Sequence, residues 1–259
     1  MSYNYLKAAR KIICIGRNYA AHIKELNNST PKQPFFFLKP TSSIVTPLSS
    51  SLVKTTRPAN STFNGLNEDG TNPGPIFIPR GVKVHHEIEL ALIVSKHLSN
   101  VTKMKPEEVY DSISGVALAL DLTARNVQDE AKKKGLPWTI SKGFDTFMPI
   151  SAIVSREKFS SYKSNLQDIF RVKCSVNGQL RQDGGTNLML HPLHKILQHI
   201  STMISLEPGD IILTGTPAGV GELKPGDRVL CELLQNNDNI VDMNFECENR
   251  PGPYEFRET

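Results

Sequence analysis

The chain has 259 residues, 39% of them hydrophobic and 22% charged, with 17 glycines and 17 prolines. This is ordinary globular composition with many turns, enough for one sizeable core, and it excludes a disordered or low-complexity chain. The formal net charge of +4 is spread along the chain except at Lys132, Lys133 and Lys134, a run that reads as a solvated helix end, so nucleic acid is not an expected partner.

At the N-terminus, MSYNYLKAARKIICIGRNY is mildly basic and free of acids, as organellar transit peptides are. KIICIG within it reads as a buried strand, so any cleaved segment must be short, and these residues leave targeting undecided. In GRNYAAHIKEL, a helix would bring His22 and Glu25, three apart, onto one face. A carboxylate there can orient the imidazole as a general base near neutral pH; an ordinary surface pair is the other reading. FFFL is the next strand. The segment from Ser49 to Pro75 is rich in Ser, Thr, Asn, Gly and Pro with little periodicity, and is expected to be a long surface loop within a single domain.

IFI and EIELALIV read as strands. Side chains alternate on a strand, so Glu87 and Glu89 share one face, either a solvated outer face or the start of a metal site. In GVALALDL the apolar run Val116 to Leu120 carries Asp121 to the end of a strand buried on both faces. Its carboxylate either caps a helix expected over Thr123 to Lys133 or joins the two glutamates. Three carboxylates from two strands suit Mg²⁺ or Mn²⁺, and an anionic substrate would then call for nearby cations. Arg125 and Gln128, three apart on the expected helix, and Lys142 in TISKGFDTF are placed for that role, though each also reads as a surface residue.

CSVNGQLRQ is a hairpin with Asn177-Gly178 at a type I′ turn. A second helix is expected from about Pro192 to Ile204, where Leu193, Ile196, Leu197, Ile200, Met203 and Ile204 recur at helical spacing before EPGD. DIILTG is a strand leading into LTGTPAGVG, which has neither the P-loop ending nor the dinucleotide fingerprint. Its backbone N–H groups and the Thr214 and Thr216 hydroxyls can serve an anion; a bare tight turn is equally consistent. RVLCEL is the last strand. Cys14, Cys174, Cys231 and Cys247 lie far apart with no C-x-x-C pair and no secretory signal, and read as buried thiols in a reducing compartment. No apolar run reaches the roughly 18 residues of a membrane span. Strands predominate without βαβ alternation, so the expected class is α+β, mainly a β roll.

In order, IGRNYAAH, FFFLKP, HHEIELALIV, LDLTARNVQ, KKKGLPWTISKGFD, VNGQLRQ and GDIILTGTPAGVG resemble the fumarylacetoacetate hydrolase family, most closely its small single-domain acylpyruvase and oxaloacetate decarboxylase/tautomerase branch. Together they span nearly the whole chain. The resemblance implies one catalytic domain over residues 1–259, a layered β-roll of the family's C-terminal-domain type with a few short helices, usually a homodimer. It implies that Glu87, Glu89 and Asp121 bind Mg²⁺, with Mn²⁺ as the alternative, and that Arg17, Arg125, Gln128 and Thr216 surround the substrate. His22 and Glu25, on a lid segment within residues 12–30, and Lys142 take the catalytic places. The implied activity is on oxaloacetate and related 2,4-dioxo acids through a metal-stabilised enolate: keto–enol tautomerisation, decarboxylation or acylpyruvate hydrolysis. Fumarylacetoacetate-type C–C hydrolysis and a non-catalytic metabolite-binding role are the competing readings. The resemblance implies a mitochondrial location, the cytoplasm being the alternative. One departure is the Ser49 to Pro75 segment, longer than the family's usual link between FLKP and HHE.

Overall fold

In the computed structural model, residues 2–50 and 61–259 are described. The strand Ile88–Val94, apolar except for Glu89, is wholly buried inside a six-stranded sheet. Ile113–Leu120 pairs antiparallel on one side of it and Ile211–Leu213 on the other. Ile12–Gly16 lies parallel to Ile211–Leu213 and carries Phe35–Lys39 at one edge, while Val154–Ser155 closes the opposite edge. Burial on both faces explains why these central strands show no polar alternation.

A second sheet has the order Gln179–Gly185, Phe170–Val176, Arg228–Gln235, Asp238–Asn249, Ile76–Ile78. Here burial alternates, with Val172, Cys174, Val229, Cys231 and Val241 turned inward. They pack in one core with Leu90, Leu92, Val116 and Leu118 of the first sheet. The other face of the first sheet is covered by a smaller cluster around Leu6, Met148 and Ile150. The result is the layered, mainly β, α+β roll expected from the sequence. All four cysteines are buried and unpaired, and among the described residues no helix is long and apolar enough to cross a membrane.

The expected elements appear with shifted ends. The first helix runs Arg125–Lys134, not from Thr123, because Thr123–Ala124 is used as a strand against Val84–His86. The second runs Leu193–Ser201. The helix Pro106–Ser112 and the 3-10 segment Arg156–Asp168 had no clear periodic signature, whereas the strand Asp238–Asn249 alternates apolar and polar residues from Val241 to Glu248 and is a strand the sequence reading missed. Of the expected surface loop, residues 51–60 lie outside the described residues. From residue 61 to 75 the chain has no helix or strand, yet it does not simply run over the surface. Thr71 and Asn72 are buried, because the Asn72 amide donates to the Ile44 carbonyl at 2.6 Å and draws the segment inward.

The feature that positions the site is a break shared by three adjacent chains. HHEIELALIV is not one strand: Val84–His86 belongs to a separate three-stranded sheet with Gly221–Leu223 and Thr123–Ala124. The central chain therefore changes sheets at Glu87. Its neighbour changes at Asp121 and Leu122, and the other neighbour at the turn 214–220. The Asp121 N–H donates to the Glu87 carbonyl at 2.8 Å, tying two of these crossings together. Where a ladder is interrupted on three neighbouring chains, side chains and amides from all three can converge on one space.

The hairpin turn is as expected, with Asn177 at φ 51° and Gly178 at φ 76°, both left-handed. An added Cβ at Gly178 meets nothing within 4 Å, so Gly178→Ala isolates backbone strain. It should cost about 1 kcal/mol in urea unfolding; an unchanged midpoint would show that the turn relaxes freely.

Candidate metal centre and active site

Glu87, Glu89 and Asp121 each offer a carboxylate oxygen within 4.8 Å of the others. All three are buried, Glu89 and Asp121 at 1% exposure, so the glutamates are not a solvated outer face. Nor is Asp121 the helix cap, since the residue at that position is Ala124 and it makes no side-chain cap. Three like charges at this spacing in a dry site repel strongly, and cations compensate them. Lys142, from the short helix Thr139–Lys142, donates to Asp121 Oδ2 at 2.6 Å and to Glu87 Oε2 at 3.1 Å. Arg125 donates to Glu87 Oε1 at 2.5 Å, and the Thr123 hydroxyl donates to the same oxygen at 3.0 Å.

A third cation, Lys39, carried no expectation from the sequence beyond its place in FFFLKP. It is 2% exposed, and its ammonium donates to the carbonyls of Leu122, Lys142 and Phe147 at 3.0, 2.6 and 3.0 Å. Those three bonds use all its protons. Asp121 Oδ1 lies 2.9 Å from the same nitrogen as an ion pair but receives no hydrogen bond. A buried carboxylate oxygen without a hydrogen bond is costly, and Asp121 belongs to a cluster whose candidate ligand atoms are all carboxylate oxygens. That donor set fits a hard divalent cation such as Mg²⁺ or Mn²⁺.

The charges divide unevenly. Burial would raise the Glu87 carboxyl, but Lys142 and Arg125 outweigh it and hold it well below the usual carboxylate range. Burial and then the charge of Asp121 push Glu89 well above that range, opposed chiefly by the Gly215 N–H at 2.5 Å. Burial lowers Lys39 despite Asp121. In Lys142 the charges of Asp121 and Glu87 overcome burial and raise it. Glu89 is thus the acid that gains most when a cation arrives.

A pocket opens over this cluster, and Arg17, His22, Arg125, Gln128, Lys142 and Thr216 line it with the three acids. Glu25 joins indirectly. The helix Ala20–Glu25 holds the His22 ring buried with Nδ1 3.4 Å from Glu25 Oε2, and the Glu25 carboxylate accepts the Gly219 N–H at 3.1 Å. Just before the helix, the buried Asn18 donates to the Thr214 carbonyl at 2.8 Å. The glycine-rich turn thus fastens both ends of the helix that closes the cavity. Arg17, one residue earlier, adopts φ 56° and stacks its guanidinium 5.5 Å from the Phe35 ring.

Gln182, fully buried, is a second residue with no expectation attached. Its Oε1 accepts from the Ile88 N–H at 3.1 Å and from His86 Nδ1 at 2.8 Å; its Nε2 donates to the Pro217 carbonyl and to Thr216 Oγ1, both at 2.8 Å. The Ile88 amide and the Pro217 carbonyl leave no ambiguity in the orientation of its amide. Thr216 Oγ1 is therefore an acceptor toward Gln182, which leaves its own proton for the cavity. No spacing in the strand Gln179–Gly185 marks such a residue, which the sequence reading met only inside the motif VNGQLRQ.

A family model described as fumarylacetoacetate (FAA) hydrolase C-terminal matches residues 11–246. This chain belongs to the fumarylacetoacetate hydrolase family. Among family members, "Oxaloacetate tautomerase oaa1, mitochondrial" of Schizosaccharomyces pombe is 40% identical, over 93% of this chain and 96% of that one. "Oxaloacetate decarboxylase, mitochondrial" of Dictyostelium discoideum is 42% identical, over 93% and 95%. The crystal structure of yeast ynq8, a fumarylacetoacetate hydrolase family protein, is 96% identical with a TM-score of 0.92, covering 99% of this chain and all of that one. The family's fumarylpyruvate hydrolase from Pseudomonas aeruginosa, in complex with Mn²⁺ and pyruvate, is 26% identical with a TM-score of 0.73, covering 93% and 90%.

Glu89→Gln removes one of the three like charges and keeps an acceptor for Gly215. Because burial and Asp121 disfavour the ionised form, the metal-free variant at neutral pH should melt above the wild type. Metal at a hundredfold over Kd stabilises a binding protein by about 2.7 kcal/mol, a shift the wild type should show with Mg²⁺ or Mn²⁺ and the variant should largely lose. A variant that melts lower without metal, or keeps the full shift, contradicts the assignment.

Proposed function

We propose that this protein is a divalent-metal-dependent oxaloacetate tautomerase, interconverting the keto and enol forms of oxaloacetate and acting on related 2,4-dioxo acids. The observation that carries this reading is a buried histidine, paired with a more exposed carboxylate, closed over a three-carboxylate centre, with Lys142 and Arg125 beside it. Mitochondrial placement follows the names of the S. pombe and D. discoideum relatives. Mg²⁺ as the ion and a homodimer as the assembly follow the family resemblance.

Glu87, Glu89 and Asp121 are the residues that would hold the ion. Bound there, it supplies Lewis-acid stabilisation of negative charge on the 2-oxo oxygen. The remaining work belongs to the chain's own side chains. Arg125 and Lys142 hold anionic oxygens of the substrate, with the Thr216 hydroxyl donating and the Gln128 amide beside Arg125, to which it is bonded at 2.6 Å. Arg17 adds positive charge from the first strand. His22, with Nδ1 toward Glu25, presents Nε2 as the atom that takes a proton from C3 or returns it. The closed helix keeps bulk water from the carbanionic carbon.

The same site also permits decarboxylation, in which keto oxaloacetate loses its C4 carboxylate as CO₂, the electron pair of the broken C3–C4 bond forms the enolate of pyruvate and C3 then takes a proton; the D. discoideum relative's name favours that second reading. Following enol-oxaloacetate absorbance and pyruvate release in parallel, with Mg²⁺ and a chelator control, separates the two. Enol loss that outruns pyruvate is expected; pyruvate appearing in step makes it a decarboxylase, and silence in both channels points to acylpyruvates. His22→Gln should lower kcat by roughly 100-fold or more with little change in KM, as for removal of a general base. An unchanged kcat removes His22 from the chemistry.

A further inference from the structure

The lysine run that reads as a solvated helix end is divided by the fold. Lys134 pairs with Glu130 at 2.8 Å and Lys133 is exposed. Lys132, exposed as well, also lines the cavity. On the helix Arg125–Lys134 it follows Arg125 and Gln128 at spacings of seven and four, so the three occupy one face, and all three line the same space. Arg125 touches Glu87 at the inner end. Lys132 is two turns further along, at the outer end.

Its environment orients the ammonium without neutralising it. Lys132 Nζ sits 5.6 Å from the centroid of Trp138, whose ring also lines the cavity. The nearest acid is Asp129 at 3.9 Å, with its side chain 63% exposed, a weak and solvent-screened contact. Arg17, on the same cavity wall, stacks on Phe35 and pairs with no carboxylate among the described residues. Burial and the charges of Arg125 and Arg17 hold the Lys132 ammonium below its ordinary value, so the cations crowd one another.

The inner cluster balances by itself: Glu87, Glu89 and Asp121 against Lys39, Lys142 and Arg125. A divalent ion adds two positive charges and the 2-oxo carboxylate removes one. The positive excess at the outer end then favours a second carboxylate over a neutral group. We infer that Lys132, assisted by Arg17, is a specificity residue that receives the distal carboxylate of a four-carbon dicarboxylate and so sets oxaloacetate apart from acylpyruvates with a neutral acyl end. This rests on the reading of the site as one for 2-oxo acids.

Malate and lactate test it independently of turnover. Both are 2-hydroxy acids that cannot enolise as oxaloacetate does, and they differ by the distal carboxylate. Calorimetry with Mg²⁺-loaded protein should give tighter binding of malate than lactate in the wild type. Lys132→Met should weaken malate about tenfold, the scale of one charge-assisted contact at a partly exposed position, and leave lactate within twofold; Lys132→Arg should restore malate. The same variants should lose kcat/KM on oxaloacetate through KM while retaining it on acetylpyruvate. Malate no tighter than lactate in the wild type, or a preference that survives Lys132→Met, overturns the inference. A malate preference that depends on Lys132 in a protein that turns over no 2-oxo acid would uphold the subsite and refute the proposed activity instead.

Discussion

Three carboxylates packed within 4.8 Å in a dry interior are the constraint around which the rest of this molecule is arranged. Without compensation such a cluster would protonate or unfold the site. The chain supplies three buried or half-buried cations from three separate elements: the end of an edge strand, the start of a long helix and a one-turn helix. They do not cancel the acids uniformly. Glu87 is held ionised, Glu89 is driven toward its neutral form, and Asp121 keeps one oxygen unbonded. The site is thus poised between its own cations and an added one, which is how a protein keeps a metal site folded yet receptive.

The sheet architecture explains why this happens where it does. Strands buried on both faces carry few charged side chains along their length, and here the acids gather where the ladder stops, with Glu89 one residue inside the end of its strand. Here three neighbouring chains stop together and re-pair in a different sheet. Glu87 and Asp121 sit at two of those crossings, and the third is the turn bearing Gly215, whose N–H bonds Glu89, and Thr216. Gly215 holds φ 102° and a Cβ there would strike Asn18, so the close approach of that turn to the lid depends on the missing side chain.

Rigid and movable parts are separated by how they are fastened. The acids, Lys39, Lys142 and Gln182 are locked by hydrogen bonds among fully buried groups. The closing helix has six residues and is fastened unequally: Asn18 before it bonds Thr214, Leu190 and His191, whereas its far end is held through Glu25 to the Gly219 N–H, an exposed contact. The Glu25 end therefore opens at lower cost than the core, which suits a site that must admit a substrate and then exclude water.

Much of this could be read without coordinates. Period-two and period-3.6 patterns are local, so seven strands, two helices and the Asn177-Gly178 turn were legible from residue spacing, and the ordered motifs named the acids and the histidine–glutamate pair. Element ends were less legible, because Thr123 and Glu87 change sheets for reasons that lie in their neighbours. What the tertiary structure alone decided are the long-range polar closures. Lys39 meets the carbonyl of Lys142 across 103 residues, and Gln182 joins Ile88 and Thr216 across 94 and 34. A lone lysine after FFFL, a glutamine on a hairpin strand and one lysine of three have no local pattern that marks them. Their roles come from which backbone groups are left unpaired nearby, and that is a property of the folded chain.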